Sequence, residues 1–297
     1  MEGTSLVELR GVSVVRQGYT VLRDVNISLS SGETLFVMGV AGSGKSMFIK
    51  VAAGITIPEE GDILYKGKSL DRLAPREEAA FRKSSGFVFQ DAALWSNMSL
   101  FENLALPVRV HEPRRGRAEV DRAVRRAAEL VGYGQDLGVR PAELSSGERK
   151  LIGLARALVL DPEILFMDDP TADLDETSAA RVPAILDELK SRGRSMIIAS
   201  AVSELAQRCA DSIAVLVEGV IAARGPYGDA MTWSDARVRE VTGRLKARDA
   251  PEPGWLKGLA GAWVSAMADG VEMPDSRGEP RDDLAGGGLA GGEGGKD

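Results

Sequence analysis

The 297-residue chain is short of several things at once. It has one cysteine, Cys209, which leaves no internal disulfide to form, and its first residues, MEGTSLVELR, lack the basic-then-apolar layout of a secretory signal. Both features point to a cytoplasmic protein. No apolar run, SMIIASAV (195–202) included, approaches the roughly 18 residues of a bilayer span, so a membrane role would need a partner. Lys and Arg, 37 in all, are outnumbered by 44 Asp and Glu, and the formal charge of −7 argues against a protein that coats nucleic acid. Aromatics make up only 5% against 44% hydrophobic residues, enough for one sizeable core plus appendages rather than two full domains.

What the chain does have is two kinds of strand pattern. The first thirty residues alternate apolar and polar around short turns (VELRGVSVV, YTVLRDVNISL), which predicts a small antiparallel sheet. Beyond it, the apolar runs TLFVM, GFVFQ, EILFMD and SMIIAS alternate with helical stretches, as strands buried on both faces of a parallel sheet do. The fold class is α/β. Strand signals vanish between Asp91 and Glu143, where RAEVDRAVRRAAELVG sets Val120, Val124, Ala127 and Val131 on one helical face before Gly132. An inserted helical lobe over about 91–143 is expected. SIAVLVEGVIAARG (212–225) predicts a hairpin turning at Glu218 and Gly219, followed by a helix from about Trp233 to Ala247. The chain then divides into a domain of 1–228, a helical extension of 229–270 and a Gly-rich tail of 271–297, expected to be disordered for want of apolar residues.

GVAGSGKS, residues 39–46, matches G-x-x-x-x-G-K-[ST] between the strand TLFVM and the helix-compatible KSMFIKVAAG. The segment Gly39, Ala41, Gly42, Ser43, Gly44 through Met47 is expected to wrap phosphate oxygens with N–H groups and a helix N-terminus, while Lys45 reaches the terminal phosphates and Ser46 ligates Mg²⁺. A nucleoside triphosphate with magnesium is the implied ligand. The plainer alternative, a glycine-rich turn that binds nothing, leaves the lysine without a reason. FMDDPTADLD (166–175) supplies the acids that such a site needs: Asp168 at the end of a second buried strand for the Mg²⁺ shell, and Asp169 facing the attacking water. Asp173 and Asp175, beyond Pro170, read by position as solvated turn acids, one of them capping a helix near Glu176.

ELSSGERKLIGLARAL (143–158) lies just upstream of that second strand. The ordered set GVAGSGKS, FVFQ, LSSGE and ILFMDDPTADLD, within about residues 6–225, closely resembles the nucleotide-binding subunits of ABC transporters. The resemblance implies a P-loop NTPase domain with an N-terminal antiparallel β-subdomain and an inserted helical subdomain. It implies ATP and Mg²⁺ as ligands and Gln90 as the loop glutamine that senses the metal and the water. Ser145, Ser146 and Gly147 become the signature closing over ATP on a second subunit, with Asp175 at the dimer seam. A homodimer, an integral-membrane permease and a place on the cytoplasmic face of the bacterial inner membrane follow from the same likeness. Chemically, Ser145 and the N–H groups opening a 146–160 helix make an anion site, although SSG alone reads first as an ordinary helix cap.

The stretch FVFQDAALWSNMSLFENLALPVRVH (87–111) is similar to the ATPase subunits of Mce-linked bacterial systems that move phospholipids between inner and outer membranes. That implies a lipid cargo and an Mce-type substrate-binding protein. Leu94, Trp95, Met98, Leu100, Phe101 and Leu104 carry more apolar surface than a lobe edge should expose, as a groove for a permease helix would; packing of the lobe's own core is the alternative. Trp95 is the first choice for partner contact.

Several positions depart from the family pattern. Asp169 stands where glutamate is usual, which draws the carboxylate back by about 1.5 Å. Ala201, in IIASAVSEL, replaces an expected histidine; the only histidine, His111, reads as a solvated loop residue of the lobe. Met47 replaces a common second hydroxyl, and Arg16 stands near the usual adenine-stacking aromatic, leaving Tyr19 as the nearby candidate. Two readings remain open: an energy-coupling ATPase, or a weakened ATP-binding clamp beside an active partner. Past the family core, GWLKGLAGAWVSAMADG (254–270) places Trp255, Leu256, Leu259, Trp263, Val264 and Met267 on one stripe, expected as a docking helix or a packed last helix. Arg114, Arg115 and Arg117 read as solvated charge beside a helix, with lipid headgroups as the alternative.

Overall fold

The computed structural model describes residues 5–172, 174, 176–243 and 245. β1 (Ser5–Arg16) and β2 (Tyr19–Ser30) form a hairpin, and β3 (Thr34–Met38) runs through a loop into α1 (Lys45–Ala52). β4 (Glu60–Tyr65), β5 (Lys68–Ser69) and α2 (Pro75–Ser84) lead to β6 (Ser85–Val88). α3 (Leu100–His111), α4 (Arg117–Leu130) and α5 (Ser146–Leu158) precede β7 (Ile164–Asp168). α6 (Glu176–Ser191), β8 (Ser195–Ala199), α7 (Ser203–Cys209), β9 (Ser212–Val217), β10 (Val220–Pro226) and α8 (Ala236–Thr242) follow.

The strands make two sheets, ordered β2-β1-β4-β5 and β10-β9-β3-β8-β7-β6. The first is antiparallel, and the second is parallel except for the β9–β10 hairpin. That hairpin turns where the sequence predicts, at Glu218 (φ 47°) and Gly219 (φ 79°), the paired left-handed residues of a type I′ turn. The antiparallel sheet is larger than the first thirty residues predict, because β4 returns from beyond α1 to pair Leu9 with Ile63 and Val7 with Tyr65. Local alternation does not announce so distant a partner.

Two-faced burial explains three of the four apolar runs, while β6, at the sheet's edge, alternates half-buried and buried residues. Leu35 and Val37 of β3, Ile164 and Phe166 of β7, and Ile197 and Ala199 of β8 pack into one core with α1 and the antiparallel sheet. Their neighbours Phe36, Met38, Leu165, Met167, Met196 and Ile198 enter the opposite core, with the helices of the lobe. Each fully buried large side chain contributes about 1.5–3 kcal/mol. A one-residue slip would exchange the two faces of a strand, so the register is strongly specified.

The lobe lies between β6 and β7 in sequence, as expected, and Val120, Val124, Ala127 and Val131 are its buried stripe. Gly132, at φ 70°, ends that helix. The apolar run after Gln90 divides. Leu100 and Leu104 are fully buried, and Leu94 and Phe101 pack against the same core, so these four serve the lobe itself. Met98 is half-buried, and Trp95 remains 46% exposed. His111 is the last residue of α3 rather than a loop residue. Arg115 pairs with Glu112 at 2.6 Å, while Arg114 and Arg117 are exposed.

The final described helix, α8, is shorter than the expected 233–247. Its start is set by Asp235, whose carboxylate accepts from the N–H groups of Arg237 and Val238 at 2.8 and 3.3 Å, with Trp233 left ahead of the cap. Residues 246 and 247 lie outside the described residues, as do the proposed docking segment 254–270 and the tail 271–297. Among the described residues, no helix is long and apolar enough to cross a membrane.

Cys209 is 1% exposed and its thiol donates to the Leu205 carbonyl at 3.0 Å; burial pushes it up to about 12. We expect it to resist iodoacetamide at pH 8 in the native protein and to be labelled only as the chain unfolds in urea. Mass spectrometry along the titration checks this, and fast native labelling would contradict the burial.

Candidate functional site

The loop between Met38 and Lys45 crosses the C-terminal edge of the parallel sheet. Gly39 admits no side chain: a Cβ there would collide with Ser43 Oγ and lie 2.5 Å from the Leu216 carbonyl oxygen. Gly42 and Gly44 hold φ of 79° and 101°, so they turn the chain where other residues would be strained. Val40, Ala41 and Gly42 are exposed, whereas Ser43 is buried and its carbonyl accepts from the Gly219 N–H at 3.1 Å. Met47 packs its side chain against the core that α1 shares with the antiparallel sheet, which leaves its backbone N–H for the loop.

Lys45 Nζ donates back to the carbonyls of Gly39 and Val40 at 2.8 and 3.0 Å. Burial lowers its pKa, opposed by the charges of Asp169 and Asp168. Ser46 Oγ donates to Asp168 Oδ1 at 3.1 Å, joining the start of α1 to the end of β7. Asp168 is 5% exposed, and burial foremost raises its pKa. The Ser46 bond and Lys50 pull it down, Asp169 pushes it up and Lys45 pulls it down again.

Asp169 turns the chain with φ 48°. Its N–H donates to the Ala199 carbonyl and its Oδ1 accepts from Ser200 Oγ, both at 2.8 Å. Ser200 is a site residue that sequence reasoning missed. The available signal was a hydroxyl directly after the buried run SMIIA, at the same sheet edge as the acids.

Gln90 is exposed two residues beyond β6, and Ala201 is exposed two residues beyond β8. Parallel pairing puts both on the edge where the loop leaves β3. Tyr19 is 78% exposed at the tip of the β1–β2 hairpin, opposite Arg16. Arg16 is held by Glu59 at 2.7 Å, so the tyrosine ring is the one open for stacking.

Ser145 accepts from the Glu148 N–H at 3.2 Å while the Glu148 carboxylate accepts from the Ser145 N–H at 2.8 Å, a reciprocal cap on α5. Ser146 is exposed and Gly147 buried. α1 and α5 pack into opposite cores. Lys150, 5% exposed, donates to the Ala172 carbonyl at 2.6 Å and ties α5 to the turn after β7. Asp173 and Asp175 lie outside the described residues.

The arrangement fits ATP with Mg²⁺. The loop is closed to any Cβ at Gly39, a cation stands over it, and Ser46 Oγ and Asp168 Oδ1, 3.1 Å apart, are the hard donors that magnesium takes alongside phosphate and water. A second concavity, about 350 Å³, is lined by Phe87, Phe89, Trp95, Pro107, His111 and Arg156 among others. Arg156 donates to the carbonyls of Ala93 and Ala92 at 2.6 and 2.8 Å, and its guanidinium lies 5.2 Å from the Trp95 ring centroid. Buried Asn103 braces that tryptophan, accepting from its N–H at 2.8 Å and donating to its carbonyl at 3.1 Å.

Gly39→Ala is expected to weaken ATP binding by at least ~10-fold with the far-UV circular dichroism unchanged. Calorimetric titration with ATP and Mg²⁺ checks it; unaltered affinity would mean that the loop does not hold phosphate.

The protein-family model described as "ABC transporter" matches residues 22–172. Among curated proteins, the nickel import ATP-binding protein NikO of Rhodobacter capsulatus is 35% identical over 237 residues, covering 77% of this chain and 92% of that protein. The probable ribonucleotide transport ATP-binding protein mkl of Mycobacterium leprae is 31% identical over 235 residues, covering 79% of this chain and 67% of its own length. For the mkl protein of Mycobacterium tuberculosis, the share of its own length is 65%. Among solved structures, the bacterial ABC transporter cassette MJ0796, a dimer, is similar at TM-score 0.69 and 25% identity, covering 74% of this chain and 98% of that one. The cbiO1 subunit of Clostridium perfringens, part of the cbiONQ complex, reaches TM-score 0.66 and 26% identity over 82% of this chain and 96% of its own.

Proposed function

The chain belongs to the ABC transporter family as an ATP-binding subunit, and from that footing we propose that it hydrolyses ATP between two copies of itself to drive a separate permease that moves phospholipid or a related lipid. The observation that carries hydrolysis is the constellation of Lys45, Ser46, Asp168 and Asp169 around one loop. Lys45 leaves its carbonyl partners to meet the terminal phosphate, and Ser46 and Asp168 hold the metal. Mg²⁺, when bound, neutralises charge on the phosphate oxygens. Asp169 and Gln90 orient the attacking water, and Tyr19 stacks on the base.

The packing of α1 and α5 into opposite cores favours a second copy supplying Ser145, Ser146 and the N-terminus of α5 to the γ-phosphate. Asp175 would sit at that seam. The cargo reading draws on the 87–111 resemblance and on the groove walled by Trp95, a receptacle for a short permease helix. Relatives are named for ribonucleotide transport, nickel import and methionine import, so the ATP-binding part is shared while the cargo differs. An Mce-type binding protein and the cytoplasmic face of the bacterial inner membrane complete the proposal.

The clamp reading predicts that Asp169 does no chemistry. Asp169→Asn is expected to lower turnover roughly 100-fold with ATP affinity within about twofold. A steady-state phosphate-release assay on the purified complex decides; equal, near-zero rates in both proteins with tight ATP binding would favour the clamp. Trp95→Asp is expected to abolish co-purification of the permease from detergent-solubilised membranes and to leave ATP affinity unchanged. The lipids retained by the intact complex test the cargo, and their absence would count against a lipid.

A further inference from the structure

Ser200 follows the last residue of β8 and is fully buried. Its backbone and its side chain face different parts of the site. The N–H donates to the Val37 carbonyl at 3.2 Å, tying the residue to β3, the strand that feeds the phosphate loop. The hydroxyl accepts from the Val202 N–H at 3.2 Å, which directs its own proton to Asp169 Oδ1 at 2.8 Å. Asp169 is also held through its N–H by the Ala199 carbonyl. One short segment of β8 thus grips the acid at both backbone and side chain, and is itself fastened to the loop's strand. Asp169 sustains φ 48°, a conformation that a non-glycine residue keeps only when its surroundings hold it there.

From this juxtaposition we infer that Ser200 is a positioning residue for hydrolysis: it fixes Oδ1 of Asp169 and leaves Oδ2 for the attacking water at a set distance from the phosphate loop. The inference rests on the hydrolysis reading proposed above. It also accounts for the two departures at this edge. The aspartate is one methylene shorter than the usual glutamate, and Ala201 has no side chain with which to steady it. The adjacent serine does so instead. Burial makes the bond hard to replace, because Ser200 has no exposed surface through which solvent would substitute for its hydroxyl.

The test uses the full-length protein with ATP and Mg²⁺. Ser200→Ala is expected to lower kcat roughly 10- to 100-fold while KM and ATP affinity stay within about twofold. Ser200→Thr, which keeps the hydroxyl, should recover kcat to within about threefold. Ser200→Ala combined with Asp169→Asn should be no slower than Asp169→Asn alone, since a positioning group has nothing left to position. Unchanged kcat in Ser200→Ala, equal loss in the alanine and threonine variants, full additivity, or loss of ATP binding would each overturn the inference. An unaltered protein no faster than Asp169→Asn would overturn the hydrolysis reading and this inference together; a fast unaltered protein matched by Ser200→Ala would overturn the inference alone.

Discussion

Parallel pairing of β3, β8 and β7 puts three chain exits side by side, and the chemical groups of the candidate site hang on that alignment. The loop leaves β3, the acids leave β7 and the hydroxyl that meets Asp169 leaves β8. Parallel strands need long crossovers, and every crossover between the parallel strands carries at least one helix. The apolar runs therefore do more than fill space. Their pairing sets the distance between a lysine and two carboxylates drawn from segments more than a hundred residues apart.

Burial then shapes the charges. Lys45 and Asp168 are each pushed toward neutrality by loss of water, and each is pulled back by the other's charge. The groove beside Trp95 is built on another balance. Arg156 is satisfied by two backbone carbonyls and covered by an indole, with the charge of Asp91 acting on it as well, so a cation can line an apolar wall.

Much of this was legible in the residue order. Short apolar runs bounded by glycine and polar groups marked β3, β6, β7 and β8, and in β3, β7 and β8 the reason is that strands covered on both faces do not alternate. The stripe at 120, 124, 127 and 131 marked α4. The phosphate loop was readable because Gly, Lys and Ser at fixed offsets have a mechanism. The split within 94–104 was not legible, since Leu100 and Trp95 are both apolar and only packing shows which of them the lobe covers. The β4 pairing and the late start of α8 escaped for related reasons: one depends on a distant partner, the other on the Asp235 cap.

The sequence by itself determined the α/β class, the order of the motifs and the chemical identity of the phosphate loop and its acids, because these are written in local spacing and residue type. The tertiary structure alone decided which groups meet: Ser46 with Asp168, Asp169 with Ser200, and Trp95 with Arg156. Contacts between distant segments depend on strand order and on which face of a sheet each helix covers, and neither is encoded within the window of residues that forms one element.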